Sequence, residues 1–137
     1  MNKTGAEIES DFFNVITGSE LEEFVNGSTY KRGVRPFGSN LEDIVVGFSA
    51  GIDGQRQTGA IDVNIYVPNI DAGSEDGRKV PNKSRIEAVE KKARTFFDSL
   101  LSTEYDFPKA ATIQSFEAEG LEQYYVSIKI KYRRITI

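Results

Sequence analysis

Residues 60–67 read Ala-Ile-Asp-Val-Asn-Ile-Tyr-Val. Apolar side chains stand at every second position, which is the period of a β-strand with one buried face. The polar side chains between them, Asp62, Asn64 and Tyr66, then share the opposite face. Pro68 follows directly and cannot donate a hydrogen bond to a neighbouring strand, so we expect the strand to end there.

Residues 124–135 repeat this alternation over a longer run. One side of this predicted strand carries Tyr124, Val126, Ile128, Ile130 and Tyr132, and the other carries Tyr125, Ser127, Lys129, Lys131 and Arg133. Three weaker patterns predict strands at 28–32, 43–48 and 112–118, the last with a turn at 119–122. The glycine-containing residues 51–59 indicate a polar loop.

Two segments have the spacing of amphipathic helices. Apolar residues within 5–17 fall on one helical face, and Gly18 is expected to end that helix. Ser19 followed by Glu22 fits a capping box for a short second helix. Ser84 with Glu87 offers another capping box, before a long apolar stripe made of Ile86, Val89, Ala93, Phe96, Phe97, Leu100 and Leu101.

The order of elements is therefore α-β-β-β-α-β-β, which predicts an α+β fold. We expect a mostly antiparallel sheet of four to five strands, packed on one face by the N-terminal helix and the long central helix. At 137 residues the chain (1–137) is expected to form a single domain. Residues 69–80 are polar and glycine-containing, so they are expected to form a mobile loop.

The composition excludes several kinds of chemistry. The chain contains no cysteine, so it has no thiolate that could bind a metal or act as a nucleophile. It contains no histidine either, so it lacks the commonest general base. Paired carboxylates at 22–23, 42–43 and 117/119 are better explained as solvated surface than as a glycosidase-like site. We therefore predict that the chain is not an enzyme and needs neither cofactor nor metal.

Glycines and acidic residues also have simpler explanations than binding. The glycines between 47 and 59 match neither a dinucleotide fingerprint nor a phosphate loop, and fit turns instead. Asp71, Glu75 and Asp76 could hold a hard cation, but their spacing departs from that of a calcium loop. A solvated loop is the preferred interpretation.

Charge and hydropathy bear on location and partners. Residues 1–10 lack the apolar run of a secretory signal, and no window approaches the about 18 apolar residues of a membrane span. The cytoplasm is the expected location. The formal net charge of −4 argues against bulk electrostatic attraction to nucleic acid or to acidic lipid.

Two polar strand faces remain as candidate sites. Lys129, Lys131 and Arg133 form a candidate basic face, with Lys31, Arg32 and Arg35 near another strand. Such a face could contact nucleic acid, helped by stacking on Tyr125 and Tyr132, or could simply protect an exposed strand from aggregation. The latter is favoured by the overall charge.

Asp62, Asn64 and Tyr66 form a candidate oligomer interface, because short or flat polar groups pack with little loss of side-chain entropy. Ordinary solvent exposure is the open alternative.

The chain also resembles a known family. The order of its elements is similar to that of the small tail-terminator (tail-completion, or minor tail) proteins of long-tailed bacteriophages. It looks like small proteins of phages and prophages of gut Bacteroidetes in four stretches: Thr29-Tyr-Lys-Arg32, Asn40-Leu-Glu-Asp-Ile-Val-Val46, Gln57-Thr-Gly-Ala-Ile-Asp-Val-Asn-Ile-Tyr-Val-Pro68 and Tyr124-Tyr-Val-Ser-Ile-Lys-Ile130. The resemblance covers nearly the whole chain.

This resemblance implies a structural protein of virion assembly without catalytic residues or cofactor. Copies of the chain, commonly six, would form a ring that caps the tail tube, contacts tail-tube and head-connector proteins, and resides first in the host cytoplasm and then in the virion tail. Head-to-tail contacts that close by rotation build such a ring. The basic residues Lys129, Lys131 and Arg133 would then face a lumen that DNA crosses. The alternative is a small binding module with a basic sheet face for nucleic acid or a protein partner.

Overall fold

The structure is a computed structural model that describes residues 1–73 and 75–135. Within these residues the elements follow in this order: α1 (Gly5–Ile16), α2 (Glu20–Phe24), β1 (Thr29–Lys31), β2 (Ile44–Ile52), β3 (Arg56–Pro68), β4 (Ile70–Asp71), β5 (Lys79–Val80), α3 (Lys83–Asp98), β6 (Tyr105–Asp106), β7 (Thr112–Ala118) and β8 (Gln123–Ile135).

Six of these strands form one sheet with the order β1-β2-β3-β8, and both β6 and β7 pair with the far side of β8. The β1–β2 pair is parallel and the other pairs are antiparallel. Strands β3 and β8 run side by side in unbroken register from Arg56 opposite Ile135 to Pro68 opposite Gln123. The predicted α+β class with a mostly antiparallel sheet is confirmed.

The hydrophobic core lies between the sheet and the helices. Helix α1 packs on β1 and β2, and α3 packs mainly on β7 and β8. The sheet contributes its alternate apolar residues and each long helix contributes one stripe, so that these side chains are almost fully buried: Ile8, Phe12, Ile16, Ile44, Val46, Ile61, Val63, Ile65, Val89, Ala93, Val126 and Ile128. The opposite face of the sheet is left without a helix among the described residues.

The N-terminal helix forms as its sequence predicts. The Thr4 side chain accepts a hydrogen bond from the Glu7 backbone N–H, and the Glu7 carboxylate accepts one from the Thr4 backbone N–H. This reciprocal capping box satisfies two donors that a helix start would otherwise leave unpaired. Gly18 follows the helix with a φ of 77°, a left-handed conformation that glycine adopts without steric cost.

The prediction of a polar loop at 51–59 was wrong. Strand β2 continues to Ile52 and β3 already begins at Arg56, so the two strands form a long hairpin. Gly59 is needed there, because a Cβ on it would lie 2.1 Å from the Ala50 carbonyl oxygen and 2.6 Å from the Tyr132 hydroxyl. Backbone pairing and the Tyr132 ring of a distant strand hold the hairpin, and neither produces a local apolar alternation.

The predicted start of the central helix was also wrong. Asn82 caps α3 by accepting a hydrogen bond from the Arg85 backbone N–H, and Ser84 lies inside the helix. At the other end, the prediction that Leu101 belongs to the apolar stripe of the helix was wrong, because the helix ends at Asp98 and Leu101 is 93% exposed.

The predicted mobile loop 69–80 contains a small hairpin in which β4 pairs with β5. Ser74 of this loop, and Thr136 and Ile137 of the predicted 1–137 domain, lie outside the described residues. The short strand β6 was not predicted. No helix within residues 1–73 and 75–135 is long and apolar enough to cross a membrane.

Candidate interaction face

The two polar patches predicted from the sequence are neighbours on one face of the sheet. Because β3 and β8 pair in register, Asp62 lies opposite Lys129, and Tyr66 lies opposite Tyr125. We call this helix-free surface the open face and define it by its outward-pointing residues: Tyr30, Val45, Gly47, Ala60, Asp62, Asn64, Tyr66, Thr112, Gln114, Phe116, Tyr125, Ser127, Lys129, Lys131 and Arg133. The candidate interface and the candidate basic face are therefore a single surface.

One end of the open face is aromatic. The ring centroids of Tyr66 and Tyr125 lie 5.8 Å apart, and those of Tyr125 and Phe116 are also 5.8 Å apart. The Arg35 guanidinium carbon lies 3.9 Å from the Tyr66 ring centroid, within cation–π range. The sequence offered Tyr125 and Tyr132 as stacking aromatics. The prediction for Tyr132 was wrong, because this residue is 1% exposed and packs in the core. The row of rings across three strands follows only from the strand order.

Arg35 reaches Tyr66 because buried groups hold it there. Its Nε donates a hydrogen bond to the Asp43 carboxylate at 2.9 Å, and its Nη2 donates to the Gln123 side-chain oxygen at 3.0 Å. Asp43 is 1% exposed and Gln123 is 4% exposed, so this contact is shielded from water. The loop that carries Arg35 is thereby fixed against the edge of the open face.

In the middle of the open face, one carboxylate offsets part of the charge of two cations. The Asp62 carboxylate lies 3.3 Å from the Arg32 Nη2 and 3.9 Å from the Lys129 Nζ. Arg32 can cross β2 because Gly47 has no side chain: a Cβ there would lie 2.4 Å from the guanidinium. Lys129 therefore contributes less free positive charge than the sequence suggested. Lys31 is absent from this face, because its amine donates to the Ser10 hydroxyl of α1.

The other end of the open face is cationic. Lys131 has no carboxylate partner among the described residues, and Arg133 Nη2 lies 3.4 Å from the Asp106 carboxylate. The Arg133 Nε is buried and has no hydrogen-bond partner within the described part of the chain. These two side chains border a cleft of about 440 Å³ that is also lined by Ala50, Ile52, Thr58, Ala60 and Pro108.

The acidic groups considered as metal or acid–base sites are engaged in local structure. Asp71 and Asp76 each accept a hydrogen bond from a backbone N–H two residues ahead. The interpretation of residues 42–43 as solvated surface was wrong, because Glu42 and Asp43 are 6% and 1% exposed. Glu42 accepts two hydrogen bonds from Arg85, at 2.7 and 2.9 Å. The Thr29 hydroxyl donates to Glu22 and lowers the pKa of that carboxyl. Across the described residues, no group of three or more acidic side chains could hold a metal ion.

A second charged cluster, which the sequence did not suggest, lies on the helix side of the molecule. The Lys3 amine lies 2.7 Å from Asp11 and 2.8 Å from Glu104, and Arg134 also donates to Glu104. Hydrogen bonds from Lys3 and Arg134 lower the pKa of the Glu104 carboxyl, while its partial burial opposes them. Burial and the hydrogen bond to Asp11 raise the pKa of Tyr105. In this cluster, the positive charges of Lys3 and Arg134 balance the negative charges of Asp11 and Glu104.

Comparison with known proteins adds no family to this description. Neither a protein-family model nor a curated protein matches the chain. The open face is therefore interpreted from its own geometry and charge.

Proposed function

We propose that this chain is a non-enzymatic structural assembly protein that forms a ring through its open face. The specific role we propose is that of a phage or prophage tail-terminator or head-tail joining protein. Its ring would sit at the end of the tail tube and contact tail-tube and head-connector proteins. The resemblance of the sequence to tail-terminator proteins supports the specific role, and the open face supports self-assembly.

The observation that carries self-assembly is that no element of the described part of the chain covers the open face. Within residues 1–73 and 75–135, helices pack on one side of the sheet only. Its other side presents half-buried, mostly short or flat side chains along β3, namely Ala60, Asp62, Asn64 and Tyr66. Such side chains lose little conformational entropy when a second protein covers them. Aromatic residues, which are enriched at protein interfaces, form one end of the same surface.

Light scattering on the purified chain over a range of concentrations tests self-assembly. We expect a discrete oligomer of about six copies. Asn64 lies in the middle of the open face, opposite Ser127, so Asn64→Arg would place a long charged side chain inside the contact. We expect this variant to be monomeric at concentrations where the natural chain is assembled.

Thr95→Arg is the matched control, because Thr95 is exposed on α3, on the other side of the molecule. It adds the same charge and should leave the measured mass unchanged. An Asn64→Arg variant that assembles like the natural chain would refute the open face as the interface.

A second candidate function follows from the row of rings beside Arg35. Single-stranded nucleic acid binds where bases stack on aromatic side chains and cations neutralise phosphates, and both kinds of group occur on the open face. Fluorescence anisotropy with a labelled single-stranded oligonucleotide, at low and high salt, tests this alternative. Binding that weakens steeply with salt and is lost in Tyr125→Ala would favour it, whereas no binding at micromolar concentrations would exclude it.

A further inference from the structure

The cleft of the open face is bordered by Lys131, which has no carboxylate partner among the described residues, and by Arg133, whose Nη2 contacts Asp106 at 3.4 Å. Lys129 and Arg32 share the carboxylate of Asp62, and Arg35 is bound to Asp43. Lys131 has no such partner among the described residues, and the Arg133 Nε is buried without an acceptor there. Lys131 is exposed, so an incoming carboxylate can pair with it at this end of the face.

The shape of the cleft favours a protein side chain as the acceptor. Its floor consists of small residues, because Ala50 pairs with Ala60 and Gly51 pairs with Gly59 in neighbouring positions of the hairpin. The exposed side chain of Ile52 forms one wall. Small floor residues leave room for the stem of a carboxylate side chain, with its charged end beside the cations.

Nucleic acid fits this cleft less well. Tyr125 of the aromatic row and Lys131 are six residues apart on β8, which is about 20 Å along an extended strand. A bound strand would have to cross the middle of the face, where Asp62 offsets part of the positive charge, to use both ends. The cleft is therefore better matched to carboxylates of a protein than to phosphates of a stacked single strand.

The chain itself carries a matching acidic surface. Residues 5–24 contain six acidic residues and neither Lys nor Arg. On α2, the exposed Glu20 and Glu23 are three residues apart and so lie on the same side of the helix. Glu20 contacts Lys92 at 3.6 Å but its side chain remains 83% exposed. Glu22, between them, is instead bound to Thr29.

We propose that the cleft beside Lys131 and Arg133 of one copy receives Glu20 and Glu23 from α2 of the next copy. The two surfaces are different, so the contact is heterologous and can be repeated around a ring. This inference rests on the proposed self-assembly and identifies the pair of surfaces that joins neighbouring copies. Because exposed charges contribute, the association weakens as salt concentration rises.

Charge-reversal variants of the two surfaces test the proposal, with assembly measured by light scattering and sedimentation velocity. Lys131→Glu alone and Glu20→Lys/Glu23→Lys alone each oppose like charges, so each should weaken association by about tenfold or more. An equimolar mixture of the two variants should assemble again. In that mixture, the basic cleft of one variant meets the acidic α2 of the other, and the acidic cleft meets the basic α2.

The controls change the same charges elsewhere. Lys91→Glu lies on the exposed side of α3, and Glu117→Lys/Glu119→Lys lies at the end of β7, so both should assemble like the natural chain. If the natural chain assembles and both cleft and α2 variants do so equally well, this inference is overturned while self-assembly stands. If the mixture does not restore assembly, the pairing of these two surfaces is likewise refuted. A natural chain that is monomeric at every concentration refutes both proposals.

Discussion

At the scale of single residues, Asp43 connects the core to the open face. Its carboxylate accepts hydrogen bonds from the Arg35 Nε, the Ser39 hydroxyl and the Ser28 backbone N–H, at 2.9, 2.5 and 3.1 Å. Arg35 in turn lies over the ring of Tyr66. A buried carboxylate surrounded by donors in this way fixes the loop before β2 and positions the cation beside the aromatic row.

We therefore expect Asp43→Asn to destabilise the fold strongly. The substitution keeps the shape of the side chain but leaves the Arg35 guanidinium, whose side chain is 13% exposed, without its counter-charge. Loss of one partner of a buried ion pair costs about 3–5 kcal/mol. Urea unfolding followed by circular dichroism measures this change in the free energy of unfolding.

Asp98→Asn provides the comparison, because Asp98 pairs with Arg94 on the surface of α3. An exposed pair of this kind contributes about 1 kcal/mol or less. Similar small effects for both variants would contradict the structural role of Asp43.

At the scale of elements, the structure and the sequence-based prediction differ at the start of α3. Ser84 and Glu87 fit a capping box as a pattern, yet the helix begins two residues earlier, where the Asn82 side chain accepts a hydrogen bond from the Arg85 N–H at 3.2 Å. Asn82→Ala should therefore lower the free energy of unfolding by about 1 kcal/mol, and Ser84→Ala should change it by a few tenths at most. Thermal and urea unfolding of the two variants measure the difference. The opposite order would show that Ser84 is the cap.

The remaining elements show which parts of a fold local patterns can predict. Alternation correctly assigned the two faces of β3 and β8, because burial of one face leaves a period of two in the sequence. The hairpin at 51–59 escaped prediction, because Tyr132 packs over Gly59 from another strand. Strand order has no local signal either. The contact of Lys129 with Asp62, and the union of two patches in one face, follow only from the pairing of β3 with β8.

At the scale of the whole molecule, charge is distributed unevenly. The α1–α2 segment is acidic, whereas β8 carries four basic residues and no acidic one. Some of these charges form ion pairs within the molecule. Glu104 binds both Arg134 of β8 and Lys3, and Lys3 also binds Asp11 of α1. This network joins the N-terminus, the first helix, the segment before β6 and the last strand. The charged side chains that remain exposed are available to other copies, as the proposed contact between the cleft and α2 requires.

The same network should make stability depend on pH with a predictable sign. Hydrogen bonds from Lys3 hold the pKa of Glu104 below its ordinary value of 4.5 in the folded chain. A carboxyl whose pKa is lowered by folding stabilises the fold above its unfolded pKa, and this contribution is lost as the pH falls through the folded value. The difference in the free energy of unfolding between the natural chain and Glu104→Gln should therefore be constant near pH 7 and shrink below about pH 5. Urea unfolding at a series of pH values from neutral to acidic measures this difference.

Lys3→Met removes the largest cause of the lowered pKa of Glu104, so in that background the pH-dependent part of the difference should decrease. A difference that stays constant into the acidic range, or that is unaffected by Lys3→Met, would show that Glu104 is not held by this network in solution.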